Sequence, residues 1–183
     1  MEYILERTMM RPRDVILFFN RCISLAENSP KISPAMMKDA EGQYSRTRLR
    51  ALADEWYEDY PNLIRFSDIL KNKTASFRLS GFTKEECENF CLDLLIEGLK
   101  FQDELSKAAL NYYDSPSSHF DFCRSIVKVF YKVGLVGVKL ERFETVSWSF
   151  TGHREVSYAE IGPETGISVH PFAWRTLGIR DLK

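Results

Sequence analysis

Tyr131-Lys132-Val133-Gly134-Leu135-Val136-Gly137-Val138-Lys139-Leu140 is the stretch on which the fold turns, because the hydrophobic period changes inside it. Upstream, Phe122, Cys123, Ile126, Val127 and Phe130 recur with the 3.6-residue spacing of an amphipathic helix that starts near Ser118. Gly134 stops that helix, since glycine takes the left-handed conformation that closes a last turn. Downstream the residues run as a strand. After a polar turn at Glu141-Arg142, the run Thr145 to Phe150 alternates, with Val146, Trp148 and Phe150 on one face. The pattern predicts a hairpin of Leu135–Leu140 with Phe143–Phe150. A helix feeding directly into a hairpin is the layout of a winged-helix-like unit. Val156 and Tyr158, then Ile167 to Val169, add short strands around a Gly162-Pro163 turn, and His170-Pro171 opens a short final helix that ends at Gly178.

Ahead of this unit the sequence reads as helices. Arg11-Pro12-Arg13-Asp14 opens one whose apolar positions Val15, Phe18, Phe19, Cys22, Ile23 and Ala26 keep helical period until Ser29-Pro30. Ser33-Pro34 repeats the start signal for a pattern reaching Tyr60-Pro61, with Gly42 or Ser45 as places where it would break. Further helices are predicted over Asn62 to Asn72, from the capping box Thr83-Lys84-Glu85-Glu86 to Gly98, and through Leu105, Ala108, Ala109 and Tyr112 to Ser115-Pro116, with one extended piece at Ser76 to Leu79. The expected fold is mainly α with a small β component: a helical bundle over residues 31–115, followed by a winged-helix-like unit over 116–183.

The chain's 183 residues can bury a sizeable core without metal or disulfide support, and its 44% hydrophobic content with 13 Phe is that of a packed protein. Twenty-five Lys plus Arg against 26 Asp plus Glu leave a net charge of -1, so nucleic acid would have to be held by a local basic patch. No stretch approaches a membrane span, and Glu2 and Glu6 are unlike the basic start of a signal peptide. A cytoplasmic setting with reduced thiols is expected. Cys87 and Cys91 lie one helical turn apart and would offer a metal two thiolates if Cys123 and a histidine joined them; core packing is the commoner use of such cysteines, and no metal site is expected.

Catalytic signatures are absent. The sequence holds neither G-x-x-x-x-G-K-[ST] nor G-x-G-x-x-G after a strand, no G-x-S-x-G and no H-E-x-x-H, and His119, His153 and His170 stand far apart. No catalytic residue and no cofactor are assigned. The features that suit binding are basic. Arg124, Lys128 and Lys132 step by four along one helix face, and Lys139 and Arg142 follow in the hairpin, an arrangement that fits duplex DNA phosphates as well as it fits a solvated helix face. Arg46, Arg48 and Arg50 precede Asp54-Glu55 and pair with them across helical turns or face a partner. Trp56, Trp148 and Trp174 sit on apolar periodic faces and are expected in the core.

Two sets of residues carry a resemblance. Met10-Arg11-Pro12-Arg13-Asp14-Val15-Ile16, Tyr44-Ser45 with Arg48-Leu49, Asp54-Glu55-Trp56 and Tyr60-Pro61, then Tyr131 to Lys139 and Val169-His170-Pro171-Phe172, resemble the region after the nucleotide-binding domain of bacterial P-loop ATPases related to the AAA+ and STAND classes, found in anti-phage defence systems. The resemblance implies that residues 1–30 form a lid-like helix following an ATPase domain that this chain lacks. It further implies that Arg13, with Arg11 as second choice, is a sensor arginine for the terminal phosphate of ATP bound by that domain. The expected function is a non-catalytic regulatory module that binds weakly to duplex DNA, or to an ATPase domain or other protein partner. The alternatives are a stand-alone winged-helix regulator of DNA and a pure protein-interaction scaffold; self-association is left open.

Overall fold

Helix α7 (His119–Lys132) runs straight into strand β2 (Val136–Lys139), and the change of period at Gly134 marks the junction. Gly134 has φ 81°, and a Cβ there would lie 2.6 Å from Met9 Cε, so both backbone and space require glycine. The computed structural model describes residues 2–9, 11–98, 103–115, 119–152 and 155–181. Of the sequence signals above, Met10, Pro116, Ser118 and His153 lie outside the described residues.

The partner of β2 corrects the expected hairpin. β2 pairs antiparallel with β3 (Gly166–Val169) in the register Val136↔Val169 and Val138↔Ile167, while Thr145–Phe150 contributes only the bridge Val138↔Ser147. Val138 donates to Ser147 O at 2.9 Å and Ser147 donates back at 2.7 Å; the chain then leaves the sheet as a 3-10 turn, Ser149–Thr151. The reason is burial. Ile167 and Val169 of β3 face the core with Val136 and Val138, whereas Val146 and Trp148 fold over the opposite face of β2, where Gly137 leaves room. On the far side of β3 lies β1 (Ser76–Arg78), giving the order β1-β3-β2.

The remaining elements are helical: α1 (Glu2–Glu6), α2 (Pro12–Leu25), α3 (Pro34–Glu55), α4 (Leu63–Ser67), α5 (Lys84–Ile96), α6 (Glu104–Asp114) and α8 (Trp174–Leu177). α3 is continuous through Gly42 and Ser45, the expected breaks, because Glu41, Tyr44, Ser45 and Arg48 are buried on one of its faces and packing outweighs local propensity. The capping box of α5 forms, with Thr83 Oγ1 accepting from Glu86 N at 3.2 Å. Tyr158–Glu160, expected as strand, is a 3-10 turn closed by its own Ser157/Glu160 box. Side chains from residues 1–30, 31–115 and 116–183 contribute to one continuous core, in which Phe18 stacks on Tyr44 and Tyr112 on Phe122. The molecule is thus a helical bundle with a small antiparallel sheet.

Candidate functional site

The N-terminus of α2 places Arg11 and Arg13 on the end of α3. Arg11 Nη1 lies 3.0 Å and Arg13 Nη2 3.2 Å from the Glu55 carboxylate, and Arg48 reaches it from inside at 3.3 Å. Burial pushes the Glu55 carboxyl up, but the hydrogen bond from Arg11 and the charges of Arg48 and Arg11 outweigh it and hold the group below the usual carboxylate range. Arg48 pairs with Glu55 as the spacing suggested, but its burial and its second partner, Asp14, are what sequence reading missed. Its side chain is 1% exposed, its Nε lies 3.2 Å from Asp14 Oδ2, and its Nη2 donates to Met9 Sδ at 3.2 Å. The Asp14 contact is an ion pair off the axis of a hydrogen bond, and the Tyr44 hydroxyl in the same pocket has no partner among the described residues. A signal was present: Arg48 is four residues from both Tyr44 and Leu52, on the buried face of α3, whereas Arg46 and Arg50 are exposed.

The structure gives the basic ridge of α7 internal partners. Arg124 pairs with Asp121 at 3.2 Å, Lys128 with Glu104 at 3.0 Å, and Lys132 donates to the Tyr60 hydroxyl at 3.1 Å while lying over the Trp56 ring. Lys139 is half-buried at the end of β2, and Arg142 is exposed beside Phe143, which is 94% exposed. Cys87 and Cys123 meet in the core with Sγ atoms 3.5 Å apart, and burial pushes the neighbouring Cys91 thiol up to about 12. Among the described residues no group of three His, Cys, Asp or Glu side chains is placed to hold a metal ion.

An apolar recess of about 810 Å³ lies where α1 meets the outer face of the sheet. Ser76 and Ser168, paired across β1 and β3, line its floor with their hydroxyls 2.9 Å apart, and the next residue of that row, Gly137, lies beneath the wall. A Cβ on Gly137 would fall 2.5 Å from Val146 Cγ1 and 2.8 Å from the Trp148 ring, so this glycine is what lets Trp148 lie against the strand. Trp148 and Phe150 form one wall, packed edge-on against the His170 ring at 4.9 and 5.6 Å. Trp174, whose Nε1 donates to Val169 O at 2.7 Å, and Leu5 of α1 form the other. Trp148 and Trp174 are therefore half-buried groove walls, where the periodicity placed them in the core.

Two polar groups fix these walls. Glu41, buried on α3, accepts from Tyr3 Oη at 2.7 Å, Arg7 Nε at 2.7 Å and Arg175 Nε at 2.9 Å, tying α1 and α8 to the bundle. Burial raises its carboxyl, but these hydrogen bonds outweigh that and hold it below the usual range. His170 caps the turn Pro171–Ala173 by accepting from Phe172 N at 3.2 Å. Burial, then the charge of Arg48, pushes its imidazole down to about 3, so it is neutral at physiological pH.

Residues 1–53, which hold α1, α2 and α3 up to Ala53, are similar to the family described as the FunZ-associated C-terminal helical domain. No curated protein and no solved structure matches the chain. Among the described residues, no helix is long and apolar enough to cross a membrane.

Proposed function

We propose that this chain is a non-catalytic accessory module that holds a protein partner in the groove between α1 and the sheet. The observation that carries the reading is the groove itself: two tryptophans and a phenylalanine line a recess large enough for several side chains, over a floor that includes Ser76 and Ser168. Aromatic walls with a few polar groups are what a binding site for an apolar segment requires. The partner is a polypeptide bearing a FunZ domain, because α1, one lip of the groove, lies in the region similar to a FunZ-associated helical domain. In this reading any ATP chemistry belongs to a separate P-loop domain, and the chain alone takes up no nucleotide. Arg13, its side chain 74% exposed, is the residue positioned to turn from Glu55 toward a phosphate offered by that domain. The test is calorimetry of the full chain against a FunZ-bearing polypeptide. Wild type should bind, and Trp148→Ala and Phe150→Ala should each weaken binding by about tenfold or more; equal affinity in the groove variants would sink the proposal.

Duplex DNA is the second reading, and a specific feature favours it. α7 feeds β2, and the chain returns at Gly166 as β3, the antiparallel neighbour of β2, with Arg142 and the exposed Phe143 just past the end of β2. This supports a winged-helix-like use of the unit. The ion pairs of Arg124 and Lys128 weigh against it, because each phosphate contact would first have to break one. Gel-shift titration at two salt concentrations tests it: phosphate contact by the ridge requires a steep salt dependence that the triple alanine variant of Arg124, Lys128 and Lys132 loses.

A further inference from the structure

Ile16, Phe19 and Ile23 follow one another along α2 at spacings of three and four, and are 59%, 41% and 51% exposed. Asp14, Phe18 and Cys22 form the buried face of the same helix, so the stripe is a second apolar face that nothing among the described residues covers. Past the end of α2 a recess of mixed lining, with Ile23, Ala26, Pro30 and Ile32 as its apolar part, adjoins it.

We infer that the stripe is a two-fold interface between copies of this chain, with α2 of one copy antiparallel to α2 of the other. The sequence of α2 is self-complementary about a point between Phe19 and Asn20. Ile16 and Ile23 are equidistant from that point, so in an antiparallel pair Ile16 packs on the partner's Ile23 while the two phenylalanines meet beside the axis. The charges are centred half a residue away, on Asn20: Arg13 and Glu27, both exposed, lie seven residues either side of it, so each arginine, on leaving Glu55, comes within side-chain reach of the partner's Glu27. A parallel arrangement would instead set Arg13 against the partner's Arg13. Between these ends, Asn20 and Ser24 beside the stripe are uncharged, so no like charges oppose association. An isologous contact of this kind needs no other partner. Three apolar side chains per copy cover well under the roughly 800 Å² per partner of a standard stable interface, so the dimer is weak and concentration-dependent.

Sedimentation equilibrium on the full chain from about 10 µM to about 1 mM reads it, over the range where weak dimers form. The mass is expected to rise from the 21.3 kDa of one chain toward twice that value. Phe19→Asp and Ile23→Asp should stay monomeric with unchanged helix content, since both side chains lie on the exposed face of α2 in the single chain. Arg13→Glu and Glu27→Arg should each weaken the dimer about threefold, and the two together should restore it. A wild type that stays at 21.3 kDa throughout overturns the inference, as does a dimer that survives Phe19→Asp. It is equally overturned if the α2 variants lose the FunZ-bearing polypeptide while wild type is monomeric, which would make this face a partner site. The groove variants Trp148→Ala and Phe150→Ala should dimerise normally, so this test and that of the groove fail independently.

Discussion

Arg48 and His170 show how much one buried polar residue decides in this fold. Removing Arg48 leaves Asp14 enclosed without its partner, so Arg48→Ala should cost about 3–5 kcal/mol in urea denaturation, the range for breaking a buried pair. The double change Asp14→Leu with Arg48→Met removes both charges and should recover most of that loss; a single variant as stable as wild type would show the pair to be idle. For His170, burial lowers the folded pKa from 6.5 to about 3, so the native state takes up fewer protons than the unfolded chain across that window. Its stabilisation is complete above about pH 6.5 and is lost as pH falls toward 3, with a slope approaching 1.4 kcal/mol per pH unit. His170→Asn keeps an acceptor for Phe172 N and should flatten the slope between pH 6 and 5, read from urea midpoints. Glu41 enters lower down. Its carboxyl is held below the ordinary 4.5, so its contribution is present above that value and lost as pH drops further, which separates the two groups on one titration. In the sequence His170 reads only as a helix start, because nothing local says that Trp148, Phe150 and Arg48 will enclose it.

At the scale of elements, the pattern of residues 145–150 was legible as an extended segment and its pairing was not. Alternation of Val146, Trp148 and Phe150 reports a chain with one covered face. It does not report which strand covers it, and here the covered face lies over Gly137 while β3, from a more distant stretch, takes the edge of β2. By contrast α2, α5 and the junction of α7 with β2 were readable, because caps, prolines and Gly134 act within one turn of the chain. The ridge of α7 was readable as a spacing but not as a free surface: Glu104 and Tyr60, which hold Lys128 and Lys132, lie 24 and 72 residues away. The element most open to test is the wall over Gly137. Gly137→Val needs room that Val146 and Trp148 occupy, so it should destabilise the chain by about 1–3 kcal/mol and expel the wall. Tryptophan emission should then shift to the red in the folded variant. An unchanged spectrum and stability would mean that the segment does not rest on β2, and the groove would lose its wall.

The whole molecule depends on contacts between its two ends. α3 buries its inner face against Pro171–Ala173 and α8: Ser45 Oγ accepts from Thr176 N at 3.1 Å, Glu41 accepts from Arg175, and the Arg48 guanidinium lies 5.8 Å from the centre of the Phe172 ring. β3, the middle strand of the sheet, also comes from the last 20 residues, and Ala75 and Arg180 join the start of β1 to the C-terminal segment. The stretch similar to a known helical domain, residues 1–53, therefore has its buried face completed from the far end of the chain, with Ser45 and Thr176 lying 131 positions apart and Glu41 and Arg175 lying 134 apart. Without that cover, α3 would expose Tyr44, Leu49 and Leu52 and leave Glu41 and Arg48 short of partners, and most of a helix's stability in a protein comes from such tertiary packing. A peptide of residues 1–53 should accordingly show less than half the per-residue helical signal at 222 nm of the intact chain, with no cooperative thermal transition. Adding a separately made piece carrying residues 119–183 should raise that signal if the two ends recognise each other without a covalent link. A sharply melting, fully helical 1–53 peptide would instead show an autonomous N-terminal domain, with Arg175, Thr176 and Phe172 as late additions to a core already closed.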